Sequence, residues 1–169
     1  MTTTIEGRVW CFGRDINTDL VQPTHALLKP VSEQPRYVFE ANRPGWVDMV
    51  APGDIIVAGS NFGTGSSRPA ARVLKDLRLG GLLADSINGL FFRNCVNFAF
   101  AGLECTDVAA AFSEGDVGRF ELETGEVRNV STGVVLQGRP WAPELLEIYR
   151  CGGLIEQLEA EGLLLGGAG

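Results

Sequence analysis

The stretch from Ile55 to Phe98 constrains the fold more than any other part of the sequence. Ile55-Ile56-Val57-Ala58 is a short unbroken apolar run behind a Pro52-Gly53-Asp54 turn, the pattern of a fully buried strand. A glycine-punctuated loop, Gly59 to Gly65, follows it, and a helix is expected from about Ser67 to Leu77, stopped by Gly80-Gly81. Leu82-Leu83-Ala84 then reads as a second buried strand, and Ile87 to Phe98 as a second helix carrying Leu90, Phe91, Val96 and Phe98. This β-α-β-α order predicts an α/β domain.

The flanking segments extend that unit. Ile5 to Cys11 reads as an opening strand, with apolar residues at 5, 9 and 11. Residues 13–36 hold three prolines and no clear period, which predicts a long ordered loop, and loops of that length in a compact domain usually serve a function. Arg36–Asn42 and Trp46–Val50 are candidates for short helices. Between Val117 and Gln137 the pattern becomes short strands at Phe120–Leu122, Val127–Val130 and Val134–Leu136, separated by Thr124-Gly125 and Thr132-Gly133. Pro143–Tyr149 and Gly153–Glu161 close the chain as short helices, and Gly166–Gly169 is expected to fray. With no repeat, low-complexity block or linker, the 169 residues are expected to form one domain, an α/β unit with a β-rich appendix.

Composition excludes several functions. A net charge of −7 without a basic stripe argues against nucleic acid, whose phosphates require clustered Lys and Arg. No run of about 18 apolar residues is present, so no membrane helix is expected. Met1–Glu6 has the pattern of neither a signal nor a transit peptide, which makes the cytoplasm the expected location. The cysteines at 11, 95, 105 and 151 form no C-x-x-C pair, and His25 is the single histidine, so this chain is expected to hold no metal or cluster of its own. Most of the four are expected to be buried thiols without chemistry.

Chemistry concentrates in Asn61-Phe62-Gly63-Thr64-Gly65-Ser66-Ser67-Arg68-Pro69. Two readings fit these residues alone. One is a Gly-Ser turn with a serine N-cap and Pro69 in the first helical turn. The other is an anion site, in which backbone N–H groups at a helix start join two hydroxyls and the carboxylate-matching fork of Arg68. A Walker phosphate loop would need Gly-Lys-Ser/Thr where Arg68-Pro69 stands, and a serine hydrolase would need G-x-S-x-G with a base that only His25 could supply.

The run Gly59–Lys75 closely resembles the Gly-Ser-Ser-Arg region of the aconitase superfamily. Gly13-Arg14-Asp15-Ile16-Asn17-Thr18-Asp19 is similar to that family's N-terminal Thr-Asp signature. Ala84-Asp85-Ser86 through Phe92-Arg93-Asn94 is similar to a further segment, and Cys151-Gly152-Gly153-Leu154-Ile155 to its closing turn. Together these cover roughly residues 5 to 160. The resemblance implies a single swivelling β/β/α domain, as in the C-terminal domain of aconitase, here as a free-standing small subunit of the 3-isopropylmalate dehydratase or dimethylmalate hydratase type. Three positions depart from the pattern: Thr64 for Cys, Pro69 for Glu and Gly89 for Arg.

By that resemblance the partner is a large subunit, in a heterodimer or heterotetramer, carrying a [4Fe-4S] cluster that this chain does not bind. Ser66 matches the catalytic base, Ser67 and Arg68 the residues that hold a substrate carboxylate, with Gly65 beside them, and Asp19 an acidic residue of the active-site rim. Thr24-His25-Ala26-Leu27-Leu28 occupies the specificity loop, apolar and without arginine, which points to an alkyl-substituted malate. 3-Isopropylmalate stands first, and 2,3-dimethylmalate, citramalate or homoaconitate are alternatives. Ala26 replaces a Tyr frequent in isopropylmalate relatives, and either His25 or Lys29 could supply a positive charge. A non-catalytic anion-binding or assembly module of the same fold is the competing class, and the intact Ser66-Ser67-Arg68 argues against it.

Overall fold

A computed structural model of the chain describes residues 1–65 and 68–164. Its strands form one seven-stranded mixed sheet. The opening strand β1 (Thr4–Cys11) lies at the centre. On one side of β1 run the parallel strands β2 (Ile55–Ala58), β3 (Gly81–Ala84) and β4 (Gly102–Glu104). On the other side run the antiparallel strands β5 (Val117–Glu121), β6 (Glu126–Asn129) and β7 (Val135–Gln137), giving the order β4-β3-β2-β1-β5-β6-β7. The expected β-rich appendix is therefore a continuation of the same sheet. Strand β4 was not anticipated, since its Gly102-Leu103-Glu104 has neither the length nor the period of a strand and pairs because Leu82–Ala84 offers it an edge.

All residues of β2 and β3 are buried, as their unbroken apolar sequence requires. Burying side chains such as Ile56 and Leu83 contributes about 1.5–3 kcal/mol each. The helices α2 (Ala70–Asp76), α3 (Gly89–Asn97), α5 (Pro143–Cys151) and α6 (Leu154–Ala160) pack on one another, while α4 (Val108–Ala111) rests on β2 and β3. Asn88 caps α3 by accepting from the Leu90 N–H. Gly152 and Gly153, with φ of 99° and 140°, end α5 and turn directly into α6. A Cβ on Gly153 would lie 2.6 Å from the Asn97 carbonyl oxygen, so this turn needs glycine for space as well as conformation.

Two expectations about α2 are corrected. The helix begins at Ala70, not near Ser67, and Pro69 is its N-cap with no side-chain cap bond. It ends at Asp76 with Leu77 as C-cap, close to the expected Leu77, but the stop is not Gly80-Gly81: Arg78 takes φ 60° after the last turn, and Gly81 is already paired with Ile55 in β3. These two glycines serve close backbone approach instead, a Cβ on Gly81 meeting the Ala101 carbonyl oxygen at 2.5 Å.

The long loop after β1 is ordered, as expected, and an aromatic cluster orders it. It contains the short helix α1 (Thr18–Val21) and 3-10 turns at Thr24–Leu28 and Gln34–Tyr37; a further 3-10 turn, Trp46–Asp48, falls within the expected Trp46–Val50 helix. The expected helix over Arg36–Asn42 is reduced to the end of the Gln34–Tyr37 turn and a run of non-helical turns. Phe12, Phe39 and Trp46 meet at ring-centroid distances of 4.3–5.5 Å, and Trp10 joins them edge-on to Trp46 at 6.1 Å.

Asp54, buried beneath Trp10, holds the start of β2. Its Oδ2 accepts from Arg8 Nη2 at 2.7 Å, Trp10 Nε1 at 2.7 Å and the Ala51 N–H at 2.9 Å. Burial alone would raise its pKa, but these donors outweigh burial and hold the carboxyl below its ordinary value. A depressed folded pKa means stability present above the unfolded value and lost as pH falls through the folded one. Asp54→Asn is expected to cost about 1–3 kcal/mol at neutral pH, with the gap to wild type narrowing below about pH 4. Urea melts of both proteins from pH 7 to pH 3 measure this, and a gap independent of pH would contradict it.

Candidate functional site

The carboxyl ends of β1, β2 and β3 open into three loops that are stitched together, the place where open α/β sheets build sites. The Asp15 N–H donates to the Ser60 carbonyl (2.9 Å), and the Gly63 N–H to the Ile16 carbonyl (2.7 Å). Likewise the Thr18 N–H donates to the Thr64 carbonyl at 2.8 Å. On the other side, Phe62 N–H donates to Ser86 O at 3.1 Å and Asn88 N–H to Phe62 O at 2.8 Å. The Thr-Asp segment and the Gly-x-Gly loop, distant in sequence, thereby become one surface. Asp15 and Asn61 take φ of 56° and 67°, and Asn61 Nδ2 donates to Asp15 Oδ1 at 3.1 Å.

Gly63 is the tightest point of this surface. Its φ is +82°, and a Cβ there would lie 2.3 Å from Cβ and Cγ of Phe91. Phe91 itself is buried against Phe62, with rings 5.2 Å apart. The loop thus reaches its position only by pressing bare backbone against α3. Gly65, with φ +107°, similarly faces Thr18 Oγ1.

Arg68 lies across the gap between the two loops, and its side chain is largely buried. Nη1 donates to the Gln22 carbonyl at 2.8 Å, and Nη2 reaches Thr24 Oγ1 at 3.0 Å and Asp19 Oδ1 at 2.8 Å. Asp19 and Thr24 are thus brought onto Arg68, while Gly65 lies against Thr18, the residue before Asp19. Ser66 and Ser67 lie outside the described residues. The row of free N–H groups expected at the start of α2 is corrected in part: Pro69 has none, and the Ala70 N–H already donates to the Arg68 carbonyl at 2.7 Å.

Behind Arg68 is a buried polar tie that sequence reasoning missed. Gln22 Nε2 donates to Gln34 Oε1 at 3.0 Å, Arg72 Nη2 donates to the same oxygen at 2.6 Å, and Gln34 Nε2 donates to Lys29 O at 3.0 Å. Gln22 and Gln34 are both buried. The tie fixes the loop carrying Asp19 and Thr24 to α2, which begins two residues after Arg68. Two glutamines in a proline-rich loop give no sequence signal of this kind.

In the Thr24–Leu28 turn, Ala26 is fully buried while Leu27 and Leu28 are exposed, Leu28 by 87%. His25 turns to Glu40, its Nε2 2.7 Å from Glu40 Oε1, and sits edge-on to Tyr37. Lys29 is exposed. Arg93 is exposed on α3, and Phe91 belongs to the core, as the sequence suggested.

Of the cysteines, Cys95 and Cys105 are buried, Cys11 is partly buried and Cys151 is exposed, so burial of most of them holds for only two. Burial pushes the Cys95 thiol far up, and burial followed by Asp85 and Asp107 pushes Cys105 up to about 11. Among the described residues no group of three or more His, Cys, Asp or Glu side chains could hold a metal ion. The four cysteines, scattered and half of them buried, do not fit an iron–sulfur cluster in this chain. No helix among the described residues is long and apolar enough to cross a membrane.

The fold that carries these loops matches a solved one. The crystal structure of 3-isopropylmalate dehydratase from Methanocaldococcus jannaschii superposes with a TM-score of 0.88 at 27% identity, covering 95% of this chain and 96% of that one. No protein-family model matches the chain. Among curated proteins, the isopropylmalate/citramalate isomerase small subunit of M. jannaschii is 39% identical over 162 residues, 94% of this chain and 96% of the relative. The 3-isopropylmalate dehydratase small subunit of Methanosarcina acetivorans is 40% identical over 154 residues, 90% and 94% of the two chains. The methanogen homoaconitase small subunit of Methanothermobacter thermautotrophicus is 37% identical over 153 residues, 89% and 88% of the two chains. The fold and these relatives define a hydro-lyase small subunit of the aconitase superfamily's swivel-domain class. Within it, the chain belongs to the 3-isopropylmalate dehydratase small-subunit family.

Proposed function

We propose that this chain, with a large subunit carrying a [4Fe-4S] cluster, isomerises an alkyl-substituted malate by dehydration and rehydration, with 3-isopropylmalate first among substrates. In that reading it acts in the cytoplasm, in leucine biosynthesis, and only in the assembled enzyme. Ser66 removes the Cα proton, while Ser67 and Arg68 hold a substrate carboxylate. The observation that supports the substrate is the Thr24–Leu28 turn: Thr24 touches Arg68, Leu27 and Leu28 follow it exposed, and His25 is turned onto Glu40. A third carboxylate placed against two leucines would cost several kcal/mol, whereas an alkyl branch gains about 0.8 kcal/mol per buried methylene.

A smaller substrate is the second reading. One relative is named for citramalate as well as isopropylmalate. Purified alone without oxygen, the chain is expected to be folded, colourless and inactive, and to gain activity on mixing with a cluster-loaded large subunit. Specificity constants of that enzyme on 3-isopropylmalate, 2,3-dimethylmalate, citramalate, homoaconitate, citrate and homocitrate then decide the substrate. Preference for a tricarboxylate would overturn the reading of the turn.

A further inference from the structure

A recess of about 270 Å³ that shares no lining residue with the Arg68 site lies between the start of α3, the end of β4 and the segment joining β7 to α5. Its apolar lining is Ile87, Phe92, Trp141 and Leu145. This lining is rigid. Trp141 Nε1 donates to the Gly102 carbonyl at 2.8 Å, and its ring is held edge-on between Phe92 at 5.4 Å and Tyr149 at 5.7 Å.

Two opposite charges, Glu104 and Arg139, line the same recess. Their main chains are joined, Arg139 N–H donating to the Glu104 carbonyl at 2.8 Å, yet among the described residues their side chains form no ion pair with each other or with any other residue. One oxygen of Glu104 accepts from the Ile87 N–H at 2.9 Å, and the other has no partner among the described residues. A carboxylate with one oxygen open and an exposed arginine beside one apolar pocket, not spent on each other, are complementary to a ligand carrying both charges and a hydrocarbon group.

We propose that this recess binds a free α-amino acid with an apolar side chain, its ammonium on Glu104, its carboxylate on Arg139 and its side chain against Phe92 and Trp141. A dicarboxylate would set a negative group against Glu104, and an uncharged apolar molecule would leave both charges unmet. Gly89 keeps the mouth open: a Cβ there would meet nothing within 4 Å, so a larger side chain can be placed at the entrance without disturbing the fold. The site is independent of the reading of Ser66 and Arg68.

Isothermal titration of the full chain with L-leucine tests it, beside 4-methylpentanoate, which lacks the ammonium, and isopentylamine, which lacks the carboxylate. Saturable leucine binding is expected at or below a few mM, with each single-charge analogue at least roughly tenfold weaker. Glu104→Gln and Arg139→Ala should each weaken leucine by roughly tenfold or more, and Gly89→Arg should abolish binding with thermal unfolding unchanged. No saturable leucine binding up to about 10 mM would overturn the proposal. So would analogues that bind as well as leucine, or undiminished binding in correctly folded Gly89→Arg.

Discussion

Ser66→Ala in the reconstituted enzyme is expected to lower kcat by roughly 10²–10⁴-fold, the range typical of losing a general base. A serine hydroxyl is a very weak acid, so acting as a base demands an environment that stabilises its anion strongly. The charge nearest in sequence is Arg68, which is not loose: Gln22, Thr24 and Asp19 hold it, and the Gln22–Gln34–Arg72 tie holds their loop to α2. Substrate binding should change far less in Ser66→Ala, because that guanidinium remains. Arg68→Lys should do the reverse and chiefly raise KM, since an ammonium cannot form the planar fork. Steady-state kinetics on the assembled enzyme separate the two. A Ser66→Ala enzyme with near-normal kcat would remove the proposed base.

Gly63→Ala should be the most damaging small substitution in the site, costing about 2–5 kcal/mol. Overpacking accounts for about 1–3 of this and the left-handed backbone for about 1–2. The added methyl would overlap the Cβ and Cγ of a buried Phe91, which Phe62 prevents from retreating. Two further variants dissect the effect. Gly133→Ala has a similar φ of +83° with open space around it, so it reports the conformational cost alone. Gly13→Ala meets nothing and has no unusual φ, so it should stay within about 0.5 kcal/mol of wild type. Chemical denaturation of the three gives the order. If Gly63→Ala were no worse than Gly133→Ala, the close approach to α3 would not matter to stability.

Much of the architecture was legible because it follows local rules. Apolar runs too short for helices and bounded by turns could only be buried strands, and β2 and β3 appear where Ile55–Ala58 and Leu82–Ala84 demanded. The misplaced start of α2 has an equally local cause: serine and proline favour helix starts by propensity, whereas here Pro69 is the N-cap and the helix begins at Ala70. Helix α4 and strand β4 were invisible because neither carries a period or turn signals of its own. Such segments take their structure from a neighbour, β4 from the edge of β3 and α4 from the surface of β2 and β3.

The site divides along the same line. The types of its residues, the glycines that permit positive φ, the arginine and the exposed leucines after Thr24 were fixed by the amino-acid sequence, because side-chain chemistry and backbone freedom belong to single residues. Their assembly was not. That Asp19 and Thr24 meet Arg68, that His25 spends itself on Glu40, and that Gln22, Gln34 and Arg72 share one buried oxygen depends on contacts between segments far apart in the chain. Only the parallel pairing of β1 with β2, which brings both loops to one edge of the sheet, puts those groups within hydrogen-bonding distance.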